Sequence, residues 1–491
     1  MRICKKARSA IAALLMIAVF ITIIPLFSVG AMALENPEIA ADAAYLYEYM
    51  SDTVLFNMSA DKRIYPASTT KIMTVLLAIE AIDDGVCDEN DIVTAAEDIW
   101  FDITPDGSTQ NISAGEKMRL GDLLRCAMIS SANESCNAIA AYISGDIQTF
   151  IALMNTKAKA LGCNGTHFAN THGMPNDDHY TTARDICMIM ATAYQHRLFR
   201  DIISTKKYTV PATEMFESRE LKNTNRMIND EYREYYEFCT GGKTGYTDAA
   251  GYCLVSVAEN DGLTVFSAVM GAQAVTLDDG YRQTQSFSET YKLFDWAFNN
   301  FSYQTMLSAG DIVKEIPVEM GDGADSVALC AQSSVSALLP NDADLSGCKY
   351  VINIFEENEG EGFTAPIKKG EKLGNLTVSY GGKNYGTVSL LANRSIELQK
   401  LEYIRNEIRS VLANKWVKLF IALVVLLLIS YIAFVIAYNS KMRRRKQYAR
   451  AAAAKRLEEL RRNEAPTTGK SFEDIEEKYR RRDEFDHSMK E

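Results

Sequence analysis

Hydrophobic positions along this chain change their period at definite points, and each change predicts an element. Ala44-Tyr45-Leu46-Tyr47-Glu48 and Val54-Leu55-Phe56 flank a short polar turn and predict a β-hairpin. Over 68–83 apolar residues recur at helical spacing, with Pro66 before the run and Gly85 beyond its end. A largely helical middle follows, including 120–143 and 146–161. Strands return over 239–245, 251–258 and 263–271, and Asn260-Asp261-Gly262 joins the last two as a hairpin connection. An amphipathic run over 285–301 closes this part. Strands at both ends with helices between predict an α+β fold: one antiparallel sheet built from both ends and flanked by helices.

Beyond residue 305 the pattern turns to short alternating segments with Gly-rich turns, such as 350–355 and 375–379. Residues 306–398 therefore read as a small β-sandwich domain. A juxtamembrane helix over 399–418 leads into 419–438, which carries no charge. Twenty apolar residues in a helix span roughly 30 Å, the hydrocarbon thickness of a bilayer. Trp416 and Tyr438 flank the run, and Lys441, Arg443, Arg444, Arg445 and Lys446 follow at once. The basic flank predicts a single transmembrane helix with a cytoplasmic tail, 439–491. At the other end, Arg2, Lys5, Lys6 and Arg8 precede an apolar run over 11–26, and Ala31-Met32-Ala33 supplies a small-x-small site. That order predicts a secretory signal peptide over 1–33, leaving 34–305 as the first folded domain.

Charge divides along the same line. Residues 34–438 hold 32 basic and 53 acidic residues, a net of −21, whereas the tail has 16 basic against 11 acidic. So acidic an external region excludes nucleic acid as a partner, because phosphate binding needs clustered Lys and Arg. Ten cysteines are present with no C-x-x-C pair. A dense disulfide framework is not expected, and pairing of Cys330 with Cys348 stays open. With five histidines and none at ligand spacing, neither a metal site nor a cofactor is expected.

Four Ser-x-x-Lys matches occur, beginning at Ser59, Ser68, Ser204 and Ser346. Only Ser68-Thr69-Thr70-Lys71 opens a predicted helix, where positions i and i+3 share a face and the Lys71 amine can reach the Ser68 hydroxyl. A neutral lysine beside a serine can take its proton and make it a nucleophile. Ser131-Ala132-Asn133 follows at the junction of two helical segments, and Lys243-Thr244-Gly245 lies on a predicted strand. S-x-x-K, S-x-N and K-T-G in that order form the signature of penicillin-binding proteins and class A β-lactamases.

The chain resembles the low-molecular-mass penicillin-binding proteins that are serine-type D-alanyl-D-alanine carboxypeptidases. Pro66-Ala67-Ser68-Thr69-Thr70-Lys71, Phe168-Ala169-Asn170-Thr171-His172-Gly173-Met174, Gly242-Lys243-Thr244-Gly245-Tyr246-Thr247 and Ala249-Ala250-Gly251-Tyr252 carry the likeness. It covers residues 40–300, with a weaker likeness to the family's C-terminal β-domain over 309–398. The resemblance implies a β-lactamase/transpeptidase-like fold and removal of the terminal D-Ala from peptidoglycan stem peptides. It also implies β-lactam antibiotics as inhibitors. Ser68 would attack the carbonyl, Lys71 would act as base, and Ser131 would relay a proton to the leaving amine. Asn133 would hold Lys71 and the substrate amide, and Lys243 and Thr244 would receive the terminal carboxylate. The Ser68 and Tyr246 N–H groups would form the oxyanion hole beside Gly245, and the charge of Lys243 would help keep Lys71 neutral. An arginine after the last central strand holds the carboxylate in relatives. Here the first basic residue after that strand is Arg282, and the role is unassigned. His172 either acts directly or orders its loop, and Arg226 reads as structural. Two other readings share the motifs: a β-lactamase, for which no Glu-x-x-x-Asn loop is found, and a catalytically silent envelope scaffold.

Overall fold

The computed structural model describes residues 34–355 and 362–463, so the signal-peptide segment 1–33 and the last part of the tail lie outside the described residues. The chain falls into two compact units. Among the described residues, the first holds 34–314 together with 328–355 and 370–392. Its centre is a five-stranded antiparallel sheet of β1 (Ala43–Glu48), β2 (Thr53–Met58), β3 (Cys239–Thr247), β4 (Gly251–Asn260) and β5 (Leu263–Ala272). The order is β2-β1-β5-β4-β3, so two strands from before the helices join three from after them, as the pattern predicts.

Both faces of this sheet are buried, which explains why β5 reads as a nearly continuous apolar run. Successive side chains alternate between faces. Tyr45 and Tyr47 of β1, Val255 and Val257 of β4, and Phe266 and Ala268 of β5 face the larger core. There they meet α1 (Lys71–Asp83), α2 (Leu120–Ile129), α3 (Asn133–Ser144), α4 (Ile147–Ala160), α5 (Ala183–Ala193) and α6 (Arg197–Ile203). Leu46, Leu254, Val265 and Val269 point the other way, against Phe287, Leu293 and Phe294 of α7 (Gln285–Asn300).

The helical pattern over 120–143 is split in the structure. Ser131 has φ +67°, a left-handed conformation that an α-helix cannot absorb, so α2 stops at Ile129 and α3 restarts at Asn133. The amphipathic run over 285–301 likewise stops at Asn300, because Phe301 opens a strand, Phe301–Leu307, paired with Val335–Pro340. Lys349–Ile354, Lys372–Tyr380 and Lys383–Ala392 make antiparallel pairs beyond it. Cys330 and Cys348 are both free thiols.

The second unit gathers 315–327, 356–369 and the chain from 393 onward. Val318 and Glu319 pair in parallel with Phe363 and Thr364, and the Arg394 guanidinium donates to Ser326 O at 2.6 Å. Helix α8 (Lys400–Ala413) then ends at Asn414, whose Oδ1 accepts from Trp416 N at 2.9 Å as α9 (Lys415–Asn463) begins. This last helix is long and apolar enough to cross a membrane. Its basic cluster, Lys441 to Lys446, continues on the same helix.

Candidate active site

The nucleophile turn is built against backbone preference. Ala67 sits at φ +48°, a conformation rare for a residue with a Cβ and typical of strained functional sites. A single 3₁₀ turn, Ala67–Thr70, runs directly into α1, so Ser68 and Lys71 stand one turn apart on the same side. Thr69 Oγ1 donates to Pro66 O at 2.7 Å and Thr70 Oγ1 to Ala67 O at 2.9 Å, tying the turn from within. Ser68 is half-buried and Lys71 wholly buried.

Lys71 Nζ has three partners: Ser68 Oγ at 2.8 Å, Asn133 Oδ1 at 2.7 Å and His172 O at 2.8 Å. Two of these, a carboxamide oxygen and a carbonyl oxygen, can only accept. A neutral amine has two protons and one lone pair. The protons are committed to Asn133 and His172, so the lone pair is left for the Ser68 hydroxyl proton. Burial lowers the Lys71 pKa to about 8, which makes the neutral form accessible near neutral pH.

Asn133 is placed at the start of α3 by its N–H bond to Ser108 O at 2.9 Å. Ser131, in the left-handed break before it, accepts from Lys243 Nζ at 3.1 Å. Lys243, from β3, also donates to Thr244 O at 2.9 Å and is wholly buried. Burial first, and then the charge of Lys71, hold its pKa well below the ordinary lysine value. The expectation that Lys243 keeps Lys71 neutral is thus modified: burial lowers Lys71, and the repulsion falls on Lys243. Gly245 brings β3 against the nucleophile, since a Cβ there would lie 3.0 Å from Ser68 N. Thr244 Oγ1 donates to Thr224 Oγ1 at 2.7 Å.

Ser68, Lys71, Ser131, Asn133, Lys243 and Thr244 therefore converge in one cleft. Tyr246 follows Gly245 on β3. Its half-exposed ring lies 4.4 Å from that of Tyr252, and its hydroxyl donates to Asp248. Arg282 reaches Tyr252 Oη at 3.4 Å, beside this tyrosine pair. Arg226 is engaged with Glu234 at 3.5 Å and with Tyr281, as its structural reading expects. The His172 ring orders its own loop, with Nδ1 accepting from Met174 N at 3.3 Å, while its carbonyl holds Lys71.

Three participants escape the sequence reading. Asn170 Oδ1 accepts from Gly173 N at 2.8 Å, and its Nδ2 donates to Asp102 and to Met174 O, both at 3.0 Å, shaping the loop that presents the His172 carbonyl. Thr224 has no motif of its own. His179 is buried against Thr70, in a stretch whose readable signal is the helix start at Thr182 and Asp185, where Thr182 Oγ1 accepts from Asp185 N at 3.0 Å.

Comparison with known proteins follows the same lines. Residues 30–274 match the family model "D-alanyl-D-alanine carboxypeptidase", and residues 301–398 match "Penicillin-binding protein 5, C-terminal domain". The D-alanyl-D-alanine carboxypeptidase DacA of Escherichia coli K12 is 31% identical over 352 residues, covering 71% of this chain and 81% of the relative. DacF of Bacillus subtilis is 29% identical over 344 residues, covering 70% and 82%. A crystal structure of penicillin binding protein 5 from Haemophilus influenzae superposes with a TM-score of 0.54 at 28% identity, covering 74% of this chain and 99% of that one.

Two outcomes follow from the geometry. In Gly173→Ala the new Cβ would lie 1.8 Å from Ala67 O at φ +96°, so the loop and the nucleophile turn cannot both keep their places. The rate at which an acylating probe labels Ser68 should fall by about 100-fold or more. Labelling at the wild-type rate would contradict this packing.

The second outcome concerns acid. Burial, and then the charges of Lys71 and of His167 respectively, hold His172 and His179 neutral, with pKa values lowered to about 3. The unfolded chain binds these protons from about pH 6.5 downward, so it holds more protons than the native state between those limits. Stability should therefore fall as pH drops from about 6.5 toward 3, and His179→Gln should flatten the fall. Thermal melts across that range with no difference in slope between wild type and variant would contradict the assignment.

Proposed function

The chain belongs to the D-alanyl-D-alanine carboxypeptidase family, and from that premise we propose how its residues carry the reaction. It is a serine peptidase acting on peptidoglycan stem peptides that end in D-Ala-D-Ala. The observation that supports the assignment of roles best is the Lys71 amine. It lies 2.8 Å from Ser68 Oγ, with its remaining bonds made to groups that only accept.

Ser68 Oγ attacks the penultimate carbonyl carbon as its proton passes to Lys71 Nζ. The carbonyl oxygen becomes an oxyanion, for which the Ser68 and Tyr246 N–H groups would be the donors; backbone donors fixed before the reaction need no reorganisation. Collapse of this intermediate breaks the C–N bond. Ser131 supplies the proton to the leaving D-Ala nitrogen: Lys243 already donates to a Ser131 lone pair, which frees the single Ser131 proton for the amine. The Lys71 ammonium then makes good the proton lost from Ser131. Water, deprotonated by neutral Lys71, attacks the remaining ester, and Lys71 returns that proton to Ser68 Oγ as the C–O bond breaks and the shortened peptide leaves. The substrate carboxylate meets Lys243 and the Thr244–Thr224 hydroxyl pair. Its negative charge favours the ammonium form of Lys243, offsetting the burial that depresses it. β-Lactams, strained amides of the same size, would acylate the same serine and act as inhibitors.

We further propose that the chain is secreted through its N-terminal segment and held as a single-pass membrane protein, with residues 34 to about 415 outside the cytoplasm. The apolar stretch of α9 and the basic cluster after it support this orientation.

Mass spectrometry after reaction with penicillin should place the adduct on the peptide containing Ser68, and Ser68→Ala should carry none. Acylation should rise with pH through a limb near the Lys71 pKa of about 8. Lys71→Arg keeps the charge, cannot deprotonate in that range and should lose about 10²–10⁴-fold in rate while remaining folded. A folded, active arginine variant would show that the base lies elsewhere.

Topology has its own test. In cells stripped of their wall, an antibody to a C-terminal epitope should stain only after the membrane is permeabilised. Equal staining before and after would put the tail outside.

A further inference from the structure

The buried imidazole of His179 takes no part in the proton transfers above, yet it joins the two segments that hold Lys71. Its Nδ1 accepts from Ala169 N at 2.9 Å and from Asn170 N at 3.3 Å. A neutral ring in that setting carries its proton on Nε2, which lies 2.8 Å from Thr70 Oγ1 and donates to it. Thr70 has one proton, and it goes to Ala67 O at 2.9 Å. The direction of the whole chain is therefore fixed, from imidazole to hydroxyl to carbonyl. One end is the 169–174 loop, whose His172 carbonyl accepts from Lys71 at 2.8 Å. The other end is Ala67, the left-handed residue immediately before Ser68. Gly173 packs into the same corner, where a Cβ would lie 2.9 Å from Thr70 Oγ1. Thr70 and His179 are 0% and 1% exposed, so water does not replace a bond lost here.

We propose that His179 is a positioning residue for acyl transfer: through Thr70 it locks the Ser68 turn in register with the loop that holds Lys71. The inference rests on the reading of Ser68 as nucleophile and Lys71 as base. The nucleophile turn packs against β3 at Gly245, but its register with the 169–174 loop is set by contacts between the turn and the loop. The turn precedes α1, and the loop lies between α4 and α5. A histidine that merely filled the core would contribute to stability without selecting the acylation step.

The test compares full-length protein variants by the rate of acylation with a fluorescent penicillin at several concentrations, by its pH profile and by melting temperature. Thr70→Val keeps the shape of the side chain, removes the hydroxyl and leaves the His179 N–H without an acceptor. It should slow the acylation step about ten- to a hundredfold, leave the non-covalent dissociation constant within about twofold, and leave the pH limb of Lys71 in place. Thr70→Ser restores the hydroxyl and should recover most of the rate. Phe199→Leu, a wholly buried change in α6 outside this hydrogen-bond chain, serves as the stability control and should melt lower while acylating normally. Wild-type acylation by Thr70→Val would overturn the proposal. So would a Phe199→Leu variant that slows as much for the same loss in melting temperature. Ser68→Ala, run alongside, separates the two readings. An adduct that forms without Ser68 defeats the nucleophile assignment, whereas a silent Ser68→Ala with a fast Thr70→Val defeats only the role of His179.

Discussion

Two wholly buried lysines, Lys71 and Lys243, lie close enough for the charge of one to act on the other, and most of what surrounds them answers that arrangement. Withdrawing an ammonium group from water costs several kcal/mol unless acceptors replace its hydration. Lys71 finds three acceptors and Lys243 two, and every one is contributed by a turn, a helix start or a strand edge. Even so both amines are pushed toward neutrality, Lys71 by burial and Lys243 by burial and by Lys71. A solvated lysine would remain charged and useless as a base. The same burial that makes the site expensive to fold makes Lys71 reactive.

Holding those acceptors requires backbone that ordinary elements do not supply. Ala67 and Ser131 are left-handed residues with side chains, at φ +48° and +67°, the first directly before Ser68 and the second itself the serine that meets Lys243. Such conformations cost about 1–3 kcal/mol each and persist only where the surroundings over-determine them. Here the surroundings are a sheet buried on both faces and helices packed across one of them. The hydroxyls of Thr69 and Thr70 then fix the turn locally. Rigid layers thus carry short strained segments, and the chemistry sits on the segments.

How much of this is legible in the sequence depends on the kind of signal. Period and turn chemistry locate the sheet strands and their connections, because each strand alternates faces and Asn260-Asp261-Gly262 can do little but turn. The three motifs locate the reacting groups, since those residue types at those positions are what acyl transfer requires. The junction of two helical segments at 131–133 is legible as well, but the left-handed backbone of Ser131 that makes it is not, since no Gly or Pro marks the place. Asn170, His179 and Thr224 are equally silent. Asparagine, histidine and threonine in loops are ordinary, and only the folded chain shows that their polar atoms meet Asp102, Thr70 and Thr244. The role of His172 lay in a backbone carbonyl, which no side-chain pattern reports.

The charge of residues 34–438 sharpens the last point. They carry a net of −21, yet two basic side chains, Lys71 and Lys243, lie wholly buried at the site. A surface that acidic repels anions at long range, within a Debye length of about 8 Å at physiological salt. The substrate carboxylate is therefore not drawn in by the protein as a whole. Its attraction is confined to the cleft, where low polarity strengthens a short-range pairing and Lys243 regains a proton as the anion arrives. On the proposed roles, binding and protonation would be one event at Lys243, and the charge restored there would lie next to Lys71. That positive neighbour would disfavour protonation of Lys71 at the moment when Ser68 must be deprotonated. The lysine pair would then couple arrival of the correct anion to activation of the nucleophile, a coupling that a single buried lysine could not provide.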